Sequence, residues 1–254
     1  MTHVYTSTFF DYIDEGAHTS ARAVIDALNP DLKPQSVLDL GCGRGVWLQE
    51  WQDAGVAKVC GVDGSYVDVN NLAIKPEDFV PADLTRPFVS ENRFDLAQSL
   101  EVGEHLPKEA AQTLVQSLVS ASDRVLFSAA VVGQGGEFHI NEQPLSFWQS
   151  LFADHGYTAF DCLRPKLADN RKVEPWYRYN GILYVNEAGR ANLPQHILET
   201  EVSQGTEVKN GGGIAWRTRQ AVVRHLPRPV VTNIAQIRSL YLAQNAKRRT
   251  QQRA

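Results

Sequence analysis

Apolar residues along this chain alternate between short unbroken runs and longer stretches at helical spacing. The run from Ser36 through Val37-Leu38-Asp39-Leu40 reads as a strand buried on both faces. Similar runs stand at Lys58 to Val62, Phe79 to Leu84, Phe94 to Leu100 and Arg124 to Ala130. Between them the spacing turns helical. Residues 5–28 carry it around Ser20 to Leu28, and Asn29-Pro30 should end that helix. A second helix is expected from Val46 to about Ala54, with Gly55 as its C-cap. Residues 65–78 make a poor helix interrupted by Pro76. Pro107 suits the first turn of a helix reaching about Ser120. Pro144 to His155 reads as another, with Leu145, Trp148, Leu151 and Phe152 on its apolar face. Tyr157 to Leu163 and Gly181 to Val185 add antiparallel or late strands. The alternation predicts an α/β fold with a doubly wound sheet.

The first strand ends in Asp39-Leu40-Gly41-Cys42-Gly43-Arg44-Gly45. Glycines at the carboxyl end of such a strand allow a tight turn and close approach to a ligand. A dinucleotide fingerprint would need its third glycine at position 46, where Val46 stands. The stretch resembles motif I of the class I S-adenosylmethionine (SAM)-dependent methyltransferases. Val59-Cys60-Gly61-Val62-Asp63-Gly64 and Phe79-Val80-Pro81-Ala82-Asp83-Leu84 follow in the family's order, then Phe94 to Pro107. The resemblance implies a Rossmann-like seven-stranded sheet, order 3-2-1-4-5-7-6, with strand seven antiparallel and helices on both faces. It implies SAM as cofactor. Asp39, Gly41 and Gly43 would line its methionine end, Asp63 with Gly64 its ribose, and Asp83 with Leu84 its adenine. Ser99 is a further expected cofactor-binding position. The resemblance covers about Tyr5 to Val185 and leaves the acceptor unidentified. Phe127 to Trp148 and Trp176 to Val185 resemble a bacterial subgroup of small-molecule methyltransferases placed in natural-product and glycan pathways. A Rossmann-type domain for another nucleotide is the competing reading, because fold does not fix function.

Groups for chemistry should lie at the carboxyl ends of strands four and five. His105, after strand four, can take a proton near neutral pH, or can serve the turn structurally. His139 lies in Val131 to Gln143, which holds Gly133, Gly135 and Gly136 and then His, Asn, Glu and Gln residues. This pattern suits a mobile lid carrying a catalytic base. The competing role is helix capping by Asn141 with a solvent-facing histidine. Arg171 to Asn180 alternates aromatic and cationic residues, which can wall a sugar or anion or cover the sheet edge. The expected function is O-methylation of a hydroxyl on a small polar molecule, a sugar or natural product, without a metal. One alternative follows from Glu101-x-x-Glu104-His105 with a later histidine, here His139. That set resembles the metal site of small-RNA 3′-terminal 2′-O-methyltransferases, where a divalent ion activates a hydroxyl. Another alternative is a SAM-binding protein that has lost turnover.

Charge changes the picture at the C-terminus. From Arg190 onward stand 11 Lys+Arg against 3 Asp+Glu, whereas residues 1–189 hold 14 against 26. The expected division is a methyltransferase domain over 1–189 and a basic extension over 190–254. The extension begins its loop at Gln204 to Gly213 and carries an amphipathic segment at Ile234 to Gln244. That segment can dock on the core, a partner subunit or a membrane surface, most commonly on protein. Lys247 to Ala254 reads as a solvated tail. The acidic core disfavours nucleic acid, and a homodimer is a possible assembly. No apolar run reaches transmembrane length, Met1 to Ile13 shows no leader pattern, and Cys42, Cys60 and Cys162 are widely spaced. The expected compartment is the reducing cytoplasm, with a reactive-thiol role for Cys42 secondary.

Overall fold

The computed structural model describes residues 7–203 and 205–237. Seven strands form one sheet in the order β3-β2-β1-β4-β5-β7-β6. They are β1 (Ser36–Leu40), β2 (Lys58–Asp63), β3 (Phe79–Pro81), β4 (Leu96–Leu100), β5 (Arg124–Ser128), β6 (Thr158–Phe160) and β7 (Ile182–Val185). The pairs from β3 through β5 are parallel, and β7 runs antiparallel to both β5 and β6. This is the expected order.

The strands alternate their side chains between two apolar layers. Val37, Leu96 and Leu126 face the layer built with α1 (Ser7–Leu32) and α2 (Val46–Asp53), which contributes Ile25, Leu28, Leu48 and Trp51. Leu38, Ala97, Val125 and Phe127 face the layer built with α3 (Ala111–Ala121) and α4 (Leu145–Ala153). There Leu114, Leu118, Trp148 and Phe152 are fully or almost fully buried. Period-two alternation in a parallel sheet therefore supplies two cores, one on each face.

Several boundaries differ from expectation. The first helix runs through Pro30 to Leu32. The ring falls in the last turns, where the lost N–H removes one hydrogen bond, and burial of Leu28 and Leu32 holds the continuation. Residues 65–78 form no α-helix but two 3₁₀ turns, Val69–Asn71 and Pro76–Asp78. The helix after Pro107 begins as a 3₁₀ turn, Lys108–Ala110. Strands three and six are short, three residues each.

Short helices α5 (Arg164–Leu167) and α6 (Pro175–Asn180) stand between β6 and β7, and beyond β7 come α7 (Glu187–Arg190) and α8 (Gln195–Leu198). Leu193 and Ile197 join the α1-side core, and Val208 joins the opposite one. Helix α9 (Ile214–Val223) follows, and residues 228–237 are again helical. Of the predicted segment at Ile234 to Gln244, residues 238–244 lie outside the described residues, as do Lys247 to Ala254 and residues 1–6 of the leader reading. No helix among the described residues is long and apolar enough to cross a membrane.

Candidate active site

Every group expected to do chemistry comes to the carboxyl edge of the parallel strands. At the end of β1 the chain turns through Gly41, Gly43 and Gly45, all at positive φ (91°, 55° and 83°). A Cβ on Gly41 would meet Val102 Cγ2 at 2.3 Å, so the turn after β4 closes directly over the glycine turn. Ser99 is fully buried and donates its hydroxyl to the Leu40 carbonyl at 2.7 Å, tying β4 to the foot of that turn. Asp39 is buried, and its Oδ2 accepts from Gln98 Nε2 at 2.9 Å while Gln98 Oε1 accepts from Trp51 Nε1 at 2.9 Å. Burial, aided by the nearby Asp63 charge, pushes the Asp39 carboxyl up to about 7.

Asp63, at the end of β2, gathers three donors. Its Oδ2 accepts the Gly43 amide at 2.7 Å, and Oδ1 accepts the Gly64 amide at 2.6 Å and the Tyr66 hydroxyl at 2.5 Å. Burial raises its pKa against the opposing pull of these donors. Tyr66, for which the sequence carried no signal, thus gives its hydroxyl to this carboxylate. Asp83 is exposed at the end of the β3 segment, where its Oδ1 accepts from the Thr85 amide and hydroxyl at 3.0 and 2.7 Å. Those hydrogen bonds hold its pKa down, and the neighbouring Leu84 is buried.

The turns after β4 and β5 build the other half of this edge. Glu101 has φ +58°, strain of the kind that concentrates at functional sites. Its Oε2 accepts from Gln134 Nε2 at 2.6 Å, and Gln134 Oε1 accepts from buried Asn180 Nδ2 at 2.7 Å. Glu104 is completely buried, and neither carboxylate oxygen makes a well-formed hydrogen bond, with its own amide and that of Ala130 close by. Burial, then the charge of Glu101, pushes its pKa well up, although its own amide and that of Ala130 pull the other way. Its carbonyl accepts the Ile140 and Asn141 amides at 2.9 and 3.0 Å, clamping the two turns together.

His139 and His105 meet here edge to face, with ring centroids 5.0 Å apart. Burial, then His139, pushes the His105 imidazole down to about 3, so it stays neutral and weakly basic. His139 Nδ1 lies 2.9 Å from Glu142 Oε1. That carboxylate also accepts the Gly133 and Gly135 amides at 2.8 and 2.7 Å. Although burial opposes it, the His139 and amide hydrogen bonds hold Glu142 below its ordinary range. The glycine-rich loop expected to be a mobile lid is therefore folded around one carboxylate. Asn141 caps no helix; it is buried and donates to the Gly103 carbonyl at 3.1 Å.

The Arg171 to Asn180 segment divides. It contains α6 (Pro175–Asn180), and Tyr177 is buried edge-on to Trp47 at 5.0 Å, as core. Arg178 lies over the Tyr179 ring, 4.7 Å from its centroid. Cys42 is buried, which raises its thiol well above the ordinary value and removes the conditions for a reactive thiolate.

A family model described as a methyltransferase domain matches residues 13–155. A ubiquinone biosynthesis O-methyltransferase of Neisseria meningitidis serogroup C is 28% identical over 139 residues, which is 48% of this chain and 51% of that protein. The chain thus spans about half the length of the curated relative it matches. Human N-acetylserotonin methyltransferase in complex with SAM superposes with a TM-score of 0.52 at 16% identity, over 70% of this chain and 55% of that one. The plantazolicin methyltransferase in complex with S-adenosylhomocysteine (SAH) gives 0.50 at 16% identity, over 70% and 89%. At such identities the likeness is one of fold.

Proposed function

Since the chain belongs to the methyltransferase-domain family, we propose that it methylates a hydroxyl of a small polar molecule, a sugar or natural product, from SAM. The relative named for ubiquinone biosynthesis is an O-methyltransferase, which supports oxygen as the acceptor atom. The observation that carries the reading is the His139–Glu142 pair at 2.9 Å, beside the carboxyl ends of β4 and β5. SAM supplies an electrophilic methyl group, and the chain supplies position and a proton acceptor. Asp63 holds ribose hydroxyls in place of Tyr66, while Gly41 and Gly43 let backbone approach the methionine end. Glu142, held ionised, pairs with Nδ1 of His139, which would leave Nε2, beside Gly136, as the atom that accepts a proton. His139 Nε2 would take the proton of the acceptor hydroxyl as its oxygen takes the methyl group, the carbon–sulfur bond of SAM breaking to release SAH, and Glu142 would steady the imidazolium. His105, being neutral, orients rather than deprotonates. We assign this chemistry to residues 1–189 and leave the basic extension a separate role.

Asp63→Ala should weaken SAH binding roughly tenfold or more, because a lost hydrogen bond to a charged group is worth about 1.5–3 kcal/mol. Calorimetric titration of both proteins measures this, and equal affinities would remove Asp63 from the site. Turnover on a panel of hydroxylated acceptors, followed by mass spectrometry, separates an enzyme from a binding protein without activity.

A divalent-ion version of the same reaction is the second reading, favoured by Glu104. One ligand atom each from Glu104, His105 and His139 lies within 4.8 Å of the others. A buried carboxylate with so few well-formed hydrogen bonds is stable only protonated or beside a cation. Glu142 would then act as the outer carboxylate that orients a ligating histidine. The first reading expects full turnover after exhaustive chelation. Loss of activity that magnesium or manganese restores decides for the second, in which Glu101 joins the ligand set.

A further inference from the structure

We propose that the C-terminal arm from Val208 onward docks this protein on an anionic lipid surface. From that residue to the end the chain carries 10 Lys+Arg and no Asp or Glu, whereas residues 1–207 carry 15 against 29. So sharp a division of charge leaves one orientation toward a negative surface, arm first.

The arm's inner side is occupied. A Cβ on Gly133 would meet the Gln220 carbonyl oxygen at 2.3 Å, and one on Gly135 would meet Val231 Cγ1 at 2.8 Å. Arg219 Nη1 donates to the Gln134 carbonyl at 2.5 Å. The arm therefore sits on the loop that holds His139 and Glu142.

Among the described residues its outer side is open. Val230, Ile234 and Ile237 are 42%, 55% and 68% exposed. At positions i, i+4 and i+7 of one helix they form a single stripe. Arg217, Arg224 and Arg228 are exposed, and none pairs with a carboxylate among the described residues. An acidic body within reach of basic residues it does not neutralise leaves them for an external anion. The apolar stripe selects among external anions. Branched aliphatic side chains insert between lipid headgroups, whereas bases of a nucleic acid need rings to stack on, and this stripe has none. No helix among the described residues is long and apolar enough to span, and contact is with the headgroup layer.

Co-sedimentation of the full chain with vesicles tests the proposal. The expected result is binding to phosphatidylcholine vesicles containing phosphatidylglycerol, little binding to phosphatidylcholine alone, and release at high salt. Replacing Arg217, Arg224 and Arg228 together by Gln should weaken partitioning about a hundredfold, since each basic residue near the surface is worth about fivefold. Ile234→Asp with Ile237→Asp should weaken it at least about tenfold. Unchanged thermal unfolding certifies that both variants fold. Equal partitioning to neutral and anionic vesicles, or none to either, overturns the proposal. So does either of two other outcomes: RNA binding without vesicle binding, or a sedimentation equilibrium in which the Gln variant loses self-association and vesicles play no part.

Discussion

His139→Ala is expected to lower kcat by about 10²–10⁴ while SAH affinity stays nearly unchanged, the signature of a lost proton acceptor. The imidazole sits in the loop after β5, and its Nδ1 lies 2.9 Å from Glu142 Oε1. His139→Asn should fail to a similar degree, because an amide accepts no proton at neutral pH. Steady-state rates across pH for wild type and both variants, with SAH titrations alongside, make the measurement. If the alanine variant mainly raised the acceptor KM and kept the wild-type rate profile, the loop would only close the site. The base assignment would then be lost.

Trp148→Ala should cost about 3–5 kcal/mol of stability, lowering Tm by roughly 6–20 °C for a chain of this size. The ring is 1% exposed and packs on Phe127 with centroids 4.9 Å apart. It also supports the turn beneath the site: a Cβ on Gly103 would come within 2.5 Å of Trp148 Cη2. Trp148→Phe makes an informative contrast. The indole N–H is buried without a partner. Phenylalanine removes that unpaired donor while keeping most of the contact, so its loss should stay within about 1.5 kcal/mol. Thermal and denaturant unfolding of both variants check this, and equal losses would show that the ring's volume has nothing to do with the effect.

Much of the cofactor half was legible from local pattern. A strand-ending acid and alternate glycines are neighbours in sequence, so Asp39, Gly41 and Gly43 need only strand β1 to bring them together. The acceptor half was legible only as composition. The polar residues of 134–143 stood out as a candidate loop, but their pairings did not show. Glu142 gathers the Gly133 and Gly135 amides, which makes an ordered loop from a glycine-rich segment. Glu101, Gln134 and Asn180 lie 33 and 46 positions apart along their hydrogen-bonded chain. No periodicity links such positions. Tyr66 on Asp63 escaped notice because an exposed tyrosine in a loop has no pattern of its own.

The sequence by itself determined the alternation of strands and helices, the two-sided burial of the central strands, the glycine turn and the separation of charge between body and arm. These follow from which side chains leave water and from backbone freedom at single residues, both local properties. Only the tertiary structure decided that Glu104 is buried without a well-formed hydrogen bond on its carboxylate, that His105 is held neutral, and that His139 gives its Nδ1 to Glu142. Desolvation depends on every element packed around a group, and hydrogen-bond partners depend on which loops the sheet order brings to one edge.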